Sequence, residues 1–263
     1  MLFAFCIGHT SAQVFQNEEL KITKLEDQLW VIETSDKTSM YILEGKKKAM
    51  HIDTGTKCAK LDSIVDLITK KPLYVLITHA HPDHAGNIEF FKDIYLHEAD
   101  TALLTMFGKK YKGKVHFVKD GDVFSLGGKK IDISYMPAHT PGSIVLLDKK
   151  AGNCFTGDAF GSGQVWLQLK PNAPIKTYLN SCIKMEKLMD KGIKNIYCGH
   201  YPHVNGPLHK NYISDMRKLA EALYNGTAPE SKEYPIKISI GCAKPMIVTE
   251  GIASIVYDPE NLK

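Results

Sequence analysis

Short apolar runs separated by polar or turn-forming residues set the rhythm of this chain. Leu29 to Thr34, Met40 to Glu44 and Ala49 to Asp53 alternate or bunch apolar residues over strand-length windows, and each is read as a strand. Tyr74-Val75-Leu76-Ile77 is short, β-branched and aromatic, the pattern of a buried strand. Strand pairs follow from Val115 to Met136 and from Ser143 to Phe155, and one more strand runs up to His200 from Asn195. Between them the period changes. Leu61, Ile64, Val65 and Ile68 recur at helical spacing inside Cys58 to Lys70, and a shorter helix is expected over Ala85 to Phe91. Tyr178 to Lys191, ended by Gly192, and Pro207 to Tyr224 read as further amphipathic helices. The segment Gly226 to Lys263 is rich in Pro and Gly with brief apolar runs, consistent with edge strands.

Against that pattern, one stretch carries an unusual load of chemistry. Thr78-His79-Ala80-His81-Pro82-Asp83-His84 packs four metal-ligating side chains into six positions directly after the Tyr74–Ile77 strand. On an extended segment residues i and i+2 point the same way, so His79 and His81 can reach one ion together. Asp83 and His84 come just past the strand, where Asp83 is also a helix-cap candidate. Three more candidates each end or follow a predicted strand: His139 in Pro137-Ala138-His139-Thr140-Pro141-Gly142-Ser143, Asp158 after Gly157, and His200 after Gly199. Strand ends are where loops gather residues from distant parts of a chain around one cleft. Five histidines and two aspartates are an inventory for two ions. Imidazole with carboxylate suits zinc, or iron or manganese, better than calcium or magnesium.

The order His-x-His-x-Asp-His, His, Gly-Asp, Gly-His resembles that of the metallo-β-lactamase-fold hydrolases, over roughly residues 20 to 224. Ile52-Asp53-Thr54-Gly55 is similar to that family's early Asp-Thr-Gly turn, whose aspartate supports the metal loop. The resemblance implies an α/β fold, a four-layer αββα sandwich of mixed sheets with helices on the outer faces and the site at one edge. It further implies that His79, His81 and His139 hold one metal and that Asp83, His84 and His200 hold the other. Asp158 would bridge the two. Two divalent ions ~3.5–4 Å apart can share a water and bring its pKa toward ~7, so a hydroxide could attack a carbonyl without a side-chain nucleophile. Asp83 is the candidate to orient that water or take its proton, and Tyr201 the candidate to donate to the developing oxyanion, the alternative being an aromatic packed beside the metal loop.

Within the family, Asp158 and His84 resemble the thioesterase (glyoxalase II) and lactonase branches. The familiar β-lactamases carry Cys or Ser at the first position and many carry Arg at the second. The persulfide dioxygenases, with one iron on the residues matching His79, His139 and Asp158, are a further alternative. The arginine they carry soon after the bridging aspartate is absent from Phe160 to Leu169. The expectation is therefore a two-zinc hydrolase of a small ester, thioester or lactone. Its pocket would be walled by the Phe160–Gln168 loop, with Gln164 and Trp166, and by Thr38 to Tyr41.

Composition narrows the rest. A 263-residue chain that is 44% hydrophobic and 24% charged can fill a core, and one domain is expected over 20–263, its midpoint near Lys149-Lys150. A net charge of +4, a single arginine (Arg217) and no basic stretch interleaved with aromatics argue against a nucleic-acid partner. Lys46-Lys47-Lys48 reads as a solvated hairpin turn. The six cysteines show no close pairing, and Cys154, Cys182 and Cys198 fall in apolar contexts as buried thiols. Met1 to Gly8 is apolar, and Ser11-Ala12 resembles a small-residue cleavage site, which suggests a leader within 1–19 and a periplasmic or secreted address over an ordinary first strand. No segment reaches the ~20 apolar residues of a membrane span, so a small-molecule substrate and no membrane partner are expected, with the oligomeric state left open.

Overall fold

In the computed structural model, which describes residues 12–106 and 111–263, the alternating strands sort their apolar side chains between two faces. The strands are β1 (Ala12–Gln16), β2 (Leu20–Glu26), β3 (Leu29–Thr34), β4 (Ser39–Glu44), β5 (Ala49–Ile52), β6 (Leu73–Leu76), β7 (Asp93–His97) and β8 (Lys114–Val118), which follow one another across an eight-stranded sheet. A second sheet has the order β14-β12-β11-β10-β9. Its strands are β9 (Val123–Ser125), β10 (Lys130–Tyr135), β11 (Ile144–Asp148), β12 (Asn153–Gly157) and β14 (Asn195–Cys198). Tyr41, Leu43, Met50 and Ile52 from the first sheet meet Ile131, Ile133, Leu146 and Phe155 from the second in one buried cluster. Their odd–even partners face outward. Met40 and Ile42 pack on Leu61 and Val65 of α1 (Leu61–Val65), and α2 (Thr101–Met106) adds Leu103 and Leu104 on the same side. Val145 and Cys154 pack instead toward α3 (Ile175–Asp190) and α4 (Lys210–Asn225). Helix, sheet, sheet, helix is the expected layer order, and it follows from the period of two in the strands.

Several elements differ from the sequence reading. The helix expected over Cys58 to Lys70 is α-helical only from Leu61 to Val65. Its first turn starts from Lys60 in the left-handed region with no side-chain cap, and turns follow it. The helix expected over Ala85 to Phe91 is a single 3₁₀ turn, Ile88–Phe90. Asn87 is diverted there: its side chain caps Cys58 N and bonds the carbonyls of Thr54 and Thr56, while its own N–H donates to Thr54 Oγ1. The two halves meet between Val118 and Val123, and Lys149-Lys150 occupies the tight β11–β12 turn instead. Lys46 to Lys48 form the β4–β5 turn, closed by Gly45 N to Lys48 O.

The stretch 160–168 is more than a loop. It contains β13 (Gln164–Leu167), which pairs in parallel with β17 (Ala253–Tyr257); β17 pairs with β16 (Met246–Glu250), and β16 with β15 (Lys232–Glu233). The C-terminal segment thus has a role: it builds a third small sheet whose Val248, Ile255 and Tyr257 join the α3–α4 core. Ala12–Gln16 pairs with β2, while residues 1–11, on which most of the leader expectation falls, lie outside the described residues, as does Cys6. Cys154, Cys182 and Cys198 are buried free thiols. No helix among the described residues is long and apolar enough to cross a membrane.

Candidate metal centre

Each of the seven candidate side chains leaves the sheet system at the same edge. His79, His81, Asp83 and His84 follow β6, His139 follows β10, and Asp158 and His200 follow the neighbouring parallel strands β12 and β14, whose register pairs Gly157 with Cys198. Glycine is required at both of these last exits. Gly157 has φ +48°, and a Cβ there would collide with Thr78 Oγ1; one on Gly199 would collide with Asp158 Oδ1 and His84 Cε1.

The side chains form two groups, each with its ligand atoms within 4.8 Å of one another: His79, His81 and His139, and Asp83, His84, Asp158 and His200. Asp158 faces both. Its Oδ2 is 3.2 Å from His200 Nε2 and 3.9 Å from His139 Nε2, and its Oδ1 is 3.5 Å from His84 Nε2. Asp83 Oδ2 lies 3.6 Å from His200 Nε2 and 3.7 Å from His84 Nε2, completing the second group.

Surrounding hydrogen bonds fix which nitrogen of each ring faces inward. His84 Nδ1–H donates to Asp53 Oδ2 at 2.8 Å. Thr78 Oγ1 donates to the same oxygen at 2.7 Å, which leaves Oγ1 as the acceptor for His79 Nδ1–H at 3.2 Å. His139 Nδ1–H donates to Trp166 O at 2.6 Å and His200 Nδ1–H to Lys37 O at 3.2 Å. Four imidazoles therefore turn Nε2 toward the centre, the orientation in which metal-binding histidines are held by such outer contacts. His81 is the exception, presenting Nδ1 at 2.9 Å from His139 Nε2. His79 Nε2, His84 Nε2 and Asp158 Oδ1 are buried and make no hydrogen bond. Buried polar atoms without partners are costly, and a cation is a partner that satisfies nitrogen lone pairs and a carboxylate together. The donor set fits divalent metal.

Electrostatics divide the groups in the same way. Burial drives His79 well below the usual histidine range and His81 to about 2, with neighbouring imidazoles adding to the shift, so both stay neutral. In the second group burial also opposes charge, but Asp158 and its fellow carboxylates outweigh it, raising His84 strongly and His200 as well. Asp158 is held far below the carboxylate range: burial pushes it up, and His200 and His84 more than reverse this. A divalent ion bound here would take the place of those protons, so binding should release them.

Two aspartates brace this arrangement. Asp53, expected from its Asp-Thr-Gly setting, accepts from Thr78 N at 2.6 Å as well as from Thr78 Oγ1 and His84. Asp100 escaped the sequence reading. Wholly buried, it accepts from Ala80 N at 2.9 Å, Thr140 Oγ1 at 2.8 Å and Gly142 N at 2.7 Å, and so ties the His79–His81 loop to the His139 loop. A lone Asp after a strand carries no motif, so only the fold reveals it.

The centre opens into a cavity of about 920 Å³, reached by His81, Asp83, His139, Asp158 and His200. Gln164 and Trp166 line it, as expected. The stretch Thr38 to Tyr41 does not. It is buried behind the centre, where Ser39 N donates to Gly199 O at 2.7 Å and Tyr41 Oη to Cys198 O at 2.6 Å, bracing the strand end that carries His200. Asp36, Thr56, Lys57 and His203 supply that side of the cavity instead. Tyr201 is also absent from the lining. Its N–H donates to Ser39 Oγ, and its ring packs 5.9 Å from that of Tyr197 beside the inter-sheet core, the packed-aromatic alternative.

The chain is similar to known proteins in sequence and in fold. Residues 34–200 match the sequence model described as the metallo-beta-lactamase superfamily. The chain is 26% identical over 226 residues to a Gallus gallus protein named acyl-coenzyme A thioesterase MBLAC2, covering 69% of this chain and 80% of that one. It is also 26% identical over 157 residues to the hydroxyacylglutathione hydrolase GloC of Haemophilus influenzae, covering 53% and 74% respectively. Among solved structures, the metallo-beta-lactamase FIM-1 from Pseudomonas aeruginosa in its mono-zinc form superposes with a TM-score of 0.62 at 17% identity, over 80% of this chain and 97% of that one, a likeness of fold.

Proposed function

The chain belongs to the metallo-beta-lactamase superfamily and is a hydrolase of that family, and from this premise we propose that it holds two zinc ions and cleaves a carbonyl ester, thioester or lactone. The observation that carries the reading is Asp158, whose one carboxylate faces both ligand groups at 3.2–3.9 Å. His79, His81 and His139 would hold one ion, Asp83, His84 and His200 the other, with Asp158 between. When bound, such ions polarise a carbonyl and lower the pKa of a bound water from 15.7 toward ~7.

The protein's own groups do the remaining work. Asp83 lines the cavity and is the more exposed carboxylate of the set, at 37% side-chain exposure, and in this reading it takes a proton from the attacking water and returns it to the leaving group. Asp53 and Asp100 hold the ligand loops still, so the geometry need not reorganise during reaction.

Three features favour acyl substrates over β-lactams or phosphodiesters. Two of the relatives are named as acyl hydrolases. Position 158 is Asp and position 84 His. The chain's single arginine, Arg217, pairs with Glu186 and Glu221 on α3 and α4, so it offers the cavity no phosphate clamp. The test is kcat/KM for a thioester, a lactone, a β-lactam and a phosphodiester, since that ratio reports differential transition-state binding. The thioester or lactone should lead. A β-lactam or phosphodiester in front would overturn the substrate class.

A further inference from the structure

The cavity has two unlike walls. On one side stand Asp36, Thr56, Lys57 and His203; on the other, Ile236, Ile238 and Ile240 line it at alternate positions, beside Trp166 and Leu169. These isoleucines lie beyond residue 200, where the family match ends. Their segment is firmly tied. Lys170 N donates to Ile240 O at 2.7 Å, Cys242 N to Gln168 O at 2.9 Å, and Gln164 Nε2 to Tyr234 Oη at 3.0 Å, while the Tyr234 ring meets Trp166 edge-on. Yet Ile236 is 49% exposed and Ile238 and Ile240 are only partly covered. Three apolar side chains that line a cavity, rather than fold into the nearby core, expose apolar surface that water disfavours and an apolar ligand would cover.

We propose that Ile236, Ile238 and Ile240, with Trp166 and Leu169, form an acyl subsite that selects substrates by the length of a linear apolar acyl chain. This rests on the acyl-hydrolase reading above. The chain would lie along the isoleucines with its carbonyl at the ligand groups, and a polar leaving group would face Lys57 and His203. Gly241 N donates to Ile238 O at 2.8 Å, so the backbone turns after Ile238 and the subsite is shorter than the ~14 Å that four extended residue steps would span. The gain from burial is roughly two- to fourfold in kcat/KM per methylene, ending where the acyl chain outruns the subsite.

The experiment uses the full chain loaded with zinc and S-acyl thioesters of N-acetylcysteamine, from acetyl to dodecanoyl. Wild type should show kcat/KM climbing through the shorter acyl groups and then levelling. Ile238→Asn should flatten the climb, chiefly through KM, and Ile238→Trp should move the levelling point to shorter chains. Ile236→Asn, at a half-exposed position, keeps the test alive if Ile238 variants fold poorly, with zinc content and melting temperature as controls. A wild-type protein that cleaves acyl thioesters without any length trend, or folded variants that keep the trend, would overturn the subsite and leave the acyl-hydrolase reading standing. No thioester cleavage at any length would overturn the subsite together with the thioester form of the acyl-hydrolase reading, leaving its ester and lactone forms.

Discussion

Asp158 lies between the two ligand groups, with its oxygens 3.2–3.9 Å from histidines of each. A carboxylate can offset the repulsion between two cations, which a neutral amide does poorly. Asp158→Asn is therefore expected to lower bound metal from two ions toward one while the chain still folds, and to do so more than loss of His200, whose ring touches only the second group. Metal content by mass spectrometry after gel filtration checks this, and two tightly held ions in the variant would show that Asp158 does not bridge. At this scale the sequence was most legible. Seven side chains stand out as ligand residue types crowded after one strand or placed at the ends of others, and Asp53 stands out through the family resemblance of its Asp-Thr-Gly turn. What stayed hidden was held by backbone or by lone residues: the carbonyls of Lys37 and Trp166, which orient His200 and His139, and the Asp100 carboxylate.

Elements read well wherever the apolar period was clean, as in β3 to β6, β10 to β12, α3 and α4. They read poorly where tertiary contacts overrode it: Asn87 spends its amide on neighbouring loops instead of a helix, and β13 becomes a strand only because β17 lies beside it. β5 carries a testable consequence. Its alternation sends Met50 and Ile52 to the inter-sheet core and His51 to the other face, where the ring meets Phe91 at 5.2 Å and neither nitrogen is hydrogen-bonded. Burial pulls His51 down to about 3. The unfolded chain, with an ordinary value of ~6.5, then binds a proton that the folded chain refuses. Stability from this residue is intact above that value and falls as pH drops from ~6.5 toward 3, by up to about 1.4 kcal/mol per pH unit. Urea unfolding of wild type and His51→Leu across this range should show the difference between them changing with pH in favour of the variant as acidity rises. A difference independent of pH would mean that His51 is protonated in the fold or reached by water.

At the scale of the molecule, two sheets face to face bring the ends of β6, β10, β12 and β14 to one edge, and the C-terminal sheet closes one side of the cavity that opens there. The four layers were foreseeable through the family resemblance. The place of residues 226–263 was not, because the sequence does not show that β13 lies beside β17 and so draws these short strands into one sheet. The central claim is that this edge holds two cooperating zinc ions for acyl hydrolysis. Its most direct test is a titration of metal-free protein with zinc, following thioester cleavage at each addition. The rate should rise to a plateau at two equivalents per chain, with proton release as the second group fills. A plateau at one equivalent, or no cleavage with zinc but oxygen uptake with a single iron, would contradict it.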